Sequence, residues 1–246
     1  CEDTRMTRRL LERYAIAHKP IPYLEHNAEM AGADVLAALE AGKSVALVSD
    51  AGTPLISDPG YRLVLAAREA GHDVFPIPGP SAFVAALSVS GLPTDDFRFC
   101  GFLPAKEKAC ADRLASLADA PSTLIFYESP TRLTKTLGTI KTVIGAQRKI
   151  IIARELTKRF ETIISGTVTD LIVHFELEPP IGEIVILIEP AASLSREYSE
   201  AELDVMLAEL AKQMPASKAA KSAAEQTGLA NADLYQRLLA MKNSDG

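Results

Sequence analysis

The sequence predicts an α/β protein with two α/β domains, a cleft between them and a C-terminal helical hairpin. Three observations carry that expectation. Short apolar runs alternate with amphipathic stretches as far as Pro190, the pattern of strands covered by helices. Several runs end in rigid polar loops, of which SDAGTPLISDPG (Ser49 to Gly60) is the longest. After Pro190 the chain becomes rich in Ala, Glu and Lys and shows only helical patterning.

The elements follow in order. DTRMTRRLLERYAI reads as a helix capped at Asp3 or Thr4, whose side chains can accept from the free amides of a first turn. IPYL (Ile21 to Leu24) reads as a short strand. AEMAGADVLAALEAG is a helix stopped at Gly42, and SVALVS is a buried strand that delivers the chain into the Ser49–Gly60 loop. YRLVLAAREAG is a helix, DVFPIP a strand, and GPSAFVAALSVSG an apolar helix. This β-α-β order predicts a parallel-type sheet.

A second unit starts near Phe97. FRFCGFL, STLIFYE, KIIIARE, ETIISGTV and GEIVILIE are strands; Glu107 to Ala118, PTRLTKTLGTIKTVIG and TDLIVHFE are helices. The boundaries are therefore 1–96 and 97–190 for the two α/β domains, and 191–246 for the helical extension. In the extension SEAELDVMLAEL is ended by Pro215. Ser217 to Gln226 and Asn231 to Met241 flank a turn at Gly228, with spacing that fits a helix-turn-helix or a plain hairpin.

Composition bounds the function. Of 246 residues, 48% are hydrophobic and 24% charged, with a net charge of −6, which argues against nonspecific coating of nucleic acid. Charge is unevenly spread. Ala105 to Phe160 holds eleven Lys and Arg against five Asp and Glu, while Glu161 to Leu210 holds one Arg against eleven acids. Cys1, Cys100 and Cys110 show no zinc or disulfide spacing, and no apolar run is long enough to span a membrane, so a cytoplasmic setting is expected. The opening Cys1-Glu2-Asp3-Thr4, without Met, reads as the start of a shortened chain.

Familiar sites are absent from the sequence. There is no G-x-G-x-x-G, Gly42-Lys43-Ser44 precedes a strand and lacks the rest of a P-loop, and His18, His26, His72 and His174 have no ligand spacing. What remains is a pair of strand-end loops, Asp50–Gly60 and Pro78–Ala82. Ligands of open α/β sheets bind beyond the carboxyl ends of strands. Gly52 permits close backbone approach, Pro54, Pro59, Pro78 and Pro80 hold the loops in shape, and a helix opening at Ser81 offers amides to an anionic group. Phe126 and Tyr127 stand ready to wall a flat ring. A ligand that is part carboxylate and part adenine suits this set; turns that only join strands to helices are the alternative.

The runs EDTRMTRRLL, LVSDAGTPLISDPGYRLV, PIPGPSAFVAALSVSGLP, FCGFLPAK, LIFYESPTRL, ARELTKRFETIISG and GEIVILIE occur in this order over essentially the whole chain. They resemble the tetrapyrrole methylase superfamily, and within it the family of 16S rRNA (cytidine-2'-O)-methyltransferases. The resemblance implies S-adenosylmethionine in the cleft, 16S rRNA of the small ribosomal subunit as substrate, and a homodimer. Carried over by position, Gly52, Thr53, Pro54, Ile56, Ser57, Ser81, Ala82, Tyr127, Glu128, Ala153 and Arg154 line the cofactor. The family's Pro- and Gly-rich loop after its first strand falls upstream of Cys1, and Ile181 stands where the family commonly has a basic residue.

Methyl transfer to a 2'-hydroxyl needs oxygen, carbon and sulfur in line, and a group that draws off the proton. ARELTKRFE offers Glu155 as base or orienting carboxylate and Lys158 as the cation beside the alkoxide, with Asp58 in reserve. Phosphate contacts are expected from Arg5, Arg8 and Arg9, neighbours on one helix, and from Lys106, Lys108, Lys218 and Lys221. Two rivals share parts of this pattern. A small-molecule tetrapyrrole methyltransferase would share the cofactor loops, and a helix-turn-helix DNA-binding protein with a ligand-sensing body would bind duplex without transferring methyl.

Overall fold

A computed structural model describes residues 1–191, 199–227 and 229–244. The chain divides into two units, one of residues 1–116 and 123–189 and the other of residues 117–122 and 190–246.

In the larger unit the described elements run α1 (Thr4–Arg13), α2 (Ala28–Glu40), α3 (Tyr61–Glu69), α4 (Ala82–Ser90), β1 (Phe97–Phe102), α5 (Glu107–Ala115), β2 (Thr123–Glu128), α6 (Leu133–Val143), β3 (Lys149–Arg154), β4 (Thr162–Thr167), α7 (Val168–Leu177) and β5 (Ile184–Ile188). Two helix starts in this unit carry side-chain caps. Asp3 caps α1 by accepting from the Arg5 amide, and Thr167 and Asp170 form a reciprocal capping box at α7.

The five strands make one sheet in the order β1-β2-β5-β3-β4. Only β1 and β2 are parallel; β2–β5, β5–β3 and β3–β4 are antiparallel. The sheet is thus mixed and is built from residues 97–188; the parallel pairing expected of the runs before Phe97 does not form, because those runs are not strands. A short reversal joins β3 to β4, and the chain returns through α7 to insert β5 between β2 and β3. Because β2, β3 and β5 are covered on both faces, they read as unbroken apolar runs and not as alternating ones. Ile125, Ile151, Ala153, Val185 and Leu187 face α4 with Ala86 and Leu87. Their alternates Leu124, Phe126, Ile150, Ile152, Ile186 and Ile188 are equally buried, with Leu133, Leu137, Ile140 and Leu171 contributed by α6 and α7. Truncating one such residue to Ala costs about 2–5 kcal/mol.

The runs IPYL, SVALVS and DVFPIP are not strands in this structure. They are extended but unladdered and largely open, with Val45 43%, Phe75 78% and Ile77 85% exposed. Pro22, Pro76 and Pro78 remove ladder donors from the first and third runs, and no described strand pairs with the second. These segments pass between α1, α2, α3 and α4, where Tyr23, Ala28, Ala31 and Leu63 form a small satellite core.

The smaller unit holds α8 (Glu200–Gln213), α9 (Ala216–Thr227) and α10 (Asn231–Ser244) around Leu203, Leu207, Ala219, Ala220, Ala223, Leu234 and Leu238. The three alanines of α9 allow close helix approach. Arg237 of α10 grips Asp204 of α8 at 2.6 and 3.1 Å. The expected turn at Gly228 lies outside the described residues. Among those residues no helix is long and apolar enough to cross a membrane.

Candidate active site

The carboxyl ends of β1, β2 and β3 and the start of β5 meet at one edge of the sheet, since Glu128 and Arg154 both pair with Ile184. The loop after residue 50 and the start of α4 close over that edge. They enclose a cavity of about 380 Å³.

One wall is the loop, with Ala51, Gly52, Thr53, Ile56, Ser57 and Asp58. Leu55 and Ser57 hold φ of 73° and 65°, a backbone that side chains other than Gly seldom adopt, so this wall is bent sharply. The Thr53 hydroxyl donates to the Pro80 carbonyl at 2.9 Å and ties the loop to the entry of α4. Ser81 and Ala82 form the second wall. Ser81 is the N-cap but makes no side-chain cap bond, so the first amides of α4 keep their capacity to bind an anion. The sheet supplies Tyr127, Glu128, Ala153, Ile184 and Val185, and the rim holds Phe102, Ser129, Pro130, Leu156, Gly182 and Glu183.

Nine of the eleven residues assigned to the cofactor by resemblance therefore line one cavity. Pro54 and Arg154 do not. Arg154 turns toward β4, donating to Thr162 Oγ1 at 2.8 Å and to the Phe160 carbonyl. Phe126, offered as a ring wall, is fully buried on the opposite sheet face, because adjacent strand residues alternate; Tyr127 alone of the pair faces the cavity.

The candidate chemical groups divide. Asp58 lines the cavity, and burial pushes its carboxyl above the usual range, with Asp50 adding repulsion and a Ser49 hydrogen bond opposing. Glu155 and Lys158 stand one layer behind the wall. The Glu155 carboxylate accepts from Lys158 Nζ at 2.9 Å and from the Glu183 amide at 2.9 Å, and Lys158 also reaches Glu183 at 3.0 Å. The Lys158 hydrogen bond, then the amide, lowers the Glu155 carboxyl. Glu155 sits at φ 51° and Thr157 at 65°, so this loop is also bent by strained residues. Gly182 suits this place: its φ of 90° is one that other residues seldom adopt, and a Cβ there would displace the Glu155 carboxylate.

The residues expected to meet phosphate are exposed, on α1 for Arg5, Arg8 and Arg9, around the start of α5 for Lys106 and Lys108, and on α9 for Lys218 and Lys221. Arg5 is already engaged by Asp3 at 2.7 Å. Among the described residues no cluster of His, Cys, Asp and Glu is placed to hold a metal. Sequence reasoning did not select Ala51, Phe102, Ser129, Pro130, Leu156, Gly182, Glu183, Ile184 or Val185 as site residues. The signals for Phe102 and Gly182–Glu183 were present in the runs FCGFLPAK and GEIVILIE.

Comparison with known proteins bears on the whole chain. The family model described as Tetrapyrrole (Corrin/Porphyrin) Methylases matches residues 1–172, and the model described as RsmI C-terminal HTH domain matches residues 197–242. A protein of Mesorhizobium japonicum named ribosomal RNA small subunit methyltransferase I is 51% identical over 100% of this chain and 83% of its own. A protein of the same name from Xylella fastidiosa is 47% identical over 95% of this chain and 86% of its own. The crystal structure of the methyltransferase CobJ shares the fold, with a TM-score of 0.54 at 23% identity, covering 70% of this chain and 74% of that one. Identity at this level over both matched segments leaves one assignment: the chain belongs to the tetrapyrrole methylase family, in the branch of the ribosomal RNA small subunit methyltransferase I proteins.

Proposed function

We propose that this chain methylates 16S rRNA in the small ribosomal subunit, with S-adenosylmethionine as donor and a cytidine 2'-hydroxyl as acceptor. The observation that carries the reading is the cavity at the strand ends, lined by the loop 51–58, the start of α4 and the edge of the sheet. Its chemistry fits the donor. The open amides of α4 suit a carboxylate, the apolar surfaces of Ile56, Ala82, Leu156 and Val185 suit a thioether chain and a flat ring, and Asp58 and Glu183 suit a cationic centre.

S-adenosylmethionine supplies the methyl group and a sulfur that leaves as a neutral thioether. The protein's part is alignment, which alone supplies roughly 7–11 kcal/mol in well-oriented reactions. Asp58 is the group suited to take the hydroxyl proton, because it faces the cavity and its raised pKa brings it toward working pH. Glu155 is held in bonds to Lys158 and the Glu183 amide, which fits the orienting role and not that of base. Lys158, behind the wall and shared between Glu155 and Glu183, acts on a developing alkoxide through Glu183, whose charge it offsets at the rim.

In this reading residues 1–96 supply the cofactor loops, residues 97–190 the sheet edge and the charged rim, and residues 191–246 a helical extension that docks RNA through Lys218 and Lys221. Arg8, Arg9, Lys106 and Lys108 add phosphate contacts that position without specifying sequence. The active form is a cytoplasmic homodimer. The test is transfer of labelled methyl from S-adenosylmethionine to small subunits lacking the modification, followed by nuclease mapping. Label on a cytidine 2'-oxygen is the expected result; label on a tetrapyrrole and none on rRNA overturns the reading.

A further inference from the structure

The strand β1 carries one extra residue against β2. Phe99 pairs with Ile125 and Phe102 with Tyr127, so three steps on one strand match two on the other. Side chains alternate across a strand, and one inserted residue reverses the face of all that follow. Without the bulge, Gly101 would stand opposite Tyr127 and Phe102 would point to the far face of the sheet. With it, Phe102 falls on the side of Tyr127 and reaches the cavity. Gly101, at φ 66°, is the residue that makes the bulge possible.

The result is a file of rings leading outward. Phe83 stacks on Phe99 at 4.5 Å and 18°, Phe99 meets Tyr127 at 4.9 Å, and Tyr127 meets Phe102 at 5.6 Å and 63°. The first three are half-buried, whereas Phe102 is 56% exposed. Its position is also fixed from behind: Arg132 donates to the carbonyls of Leu103 and Pro104, the next two residues, at 2.8 and 3.2 Å. A large apolar ring set at a cavity rim on a braced backbone, with more than half its surface in water, is suited to receive a flat partner.

We propose that Phe102 stacks on the base of the target nucleotide and so holds its ribose over the cavity. The inference rests on the methyl-transfer reading and adds the residue that receives the acceptor. The donor is taken into the cavity between the loop 51–58, α4 and the sheet; the acceptor arrives from solvent and meets the exposed rim first. A base in a single-stranded loop of RNA can be splayed out of its stack and received on an aromatic side chain. Stacking does not discriminate among bases, so Phe102 supplies binding and position, leaving base choice to other contacts.

The experiment compares the unaltered chain with F102A, F102L and F102W. It measures methyl transfer to small ribosomal subunits, calorimetric affinity for S-adenosylhomocysteine, and melting temperature. F102A and F102L should lose kcat/KM for subunits by about 5- to 150-fold, the scale of one base–aromatic stack, while F102W retains it. Affinity for S-adenosylhomocysteine should not change. F102L keeps the bulk of the side chain, so it serves if F102A folds poorly. Unchanged kcat/KM in F102L overturns the inference alone. Loss of S-adenosylhomocysteine affinity by the same factor overturns it in favour of a cofactor contact. An unaltered chain that labels no rRNA overturns the site reading and this inference with it.

Discussion

Arg132→Met tests how the rim of the cavity is held. Glu128 is 3% exposed, and its carboxylate accepts from the Thr136 hydroxyl at 2.7 Å and the Ser129 amide at 2.8 Å, and faces Arg132 Nε at 3.4 Å. The far end of the same guanidinium holds Leu103 and Pro104. Removing one partner of a buried pair costs about 3–5 kcal/mol. The lower end applies, because the Arg132 side chain is 32% exposed and two hydrogen bonds to the carboxylate survive. The two carbonyls lose a charged donor but gain access to water, adding about 1 kcal/mol. The sum is about 3–4 kcal/mol, or roughly 6–16 °C at 2–4 °C per kcal/mol for a unit of this size.

The assay is calorimetric melting at neutral pH, run with the double variant E128Q/R132M. The neutral amide keeps its oxygen as acceptor for the Ser129 N–H, turns its NH2 to donate to the Thr136 hydroxyl, and removes the unpaired charge, so the double variant should recover about half of the loss. A single variant within about 0.5 kcal/mol of the original chain, the range of ordinary surface changes, would refute the claim that this charge is structurally held. A double variant no better than the single one would transfer the whole effect to Leu103 and Pro104.

Three further predictions concern the site and its approach. Asp58→Asn should raise the melting temperature at neutral pH and lower methyl transfer. Because the folded carboxyl is raised, the penalty for its charge is fully present above the folded pKa and vanishes as pH falls through the ordinary value of 3.8, so the stability gain should vanish with it; a gain that does not depend on pH would contradict this. Gly182→Ala forces a positive φ at about 1–2 kcal/mol and drives Glu155 off Lys158. Methyl transfer should fall at least about tenfold, and adding E155A should relieve the side-chain overlap, leaving the cost of the positive φ, without restoring activity; restored activity would show that Glu155 orients nothing. Lys218→Ala with Lys221→Ala should reduce the slope of log affinity for subunits against log salt by roughly 2, about one per phosphate contact, with methyl transfer from bound complexes intact; an unchanged slope would place these lysines off the RNA.

Much of the larger unit was legible because its strands are buried on both faces. TLIFYE, KIIIAR and IVILI carry no outward polar alternation, and such runs stand out from sequence alone. Pairing direction was not legible, since an apolar run carries no mark of whether its neighbour runs with or against it. The antiparallel β3–β4 pair depends on the tight reversal through Glu155 and Thr157, whose positive φ no propensity predicts. IPYL and DVFPIP mislead for another reason: their apolar content resembles that of a strand, but their prolines cannot donate to a ladder. Phe126 and Tyr127 show the same limit at one residue's resolution. Both are aromatic and adjacent, and only the sheet decides which one faces the cavity.

The site itself was legible in part because strain leaves a compositional trace and in part because it does not. Of the five non-glycine residues with positive φ among the described ones, four lie in the two loops beside the cavity: Leu55 and Ser57 on one side, Glu155 and Thr157 on the other. Each such residue costs about 1–3 kcal/mol, and it persists only when surrounding bonds over-determine it. The bonds are present: Thr53 to Pro80 on the first loop, and Glu155 to Lys158 and Glu183 on the second. The first loop announces itself through Gly and Pro, the residues that make sharp bends cheap. The second bends on Glu and Thr, which nothing in composition marks, and its allowance is placed far along the chain at Gly182, where the absent Cβ leaves room for the Glu155 carboxylate. A geometry held by bonds between segments about 28 residues apart is invisible to any local reading, and it is for this second loop that an orienting role is proposed. Preorganisation of that kind has to be assembled by the fold, so the residues that achieve it are the last to be readable in sequence.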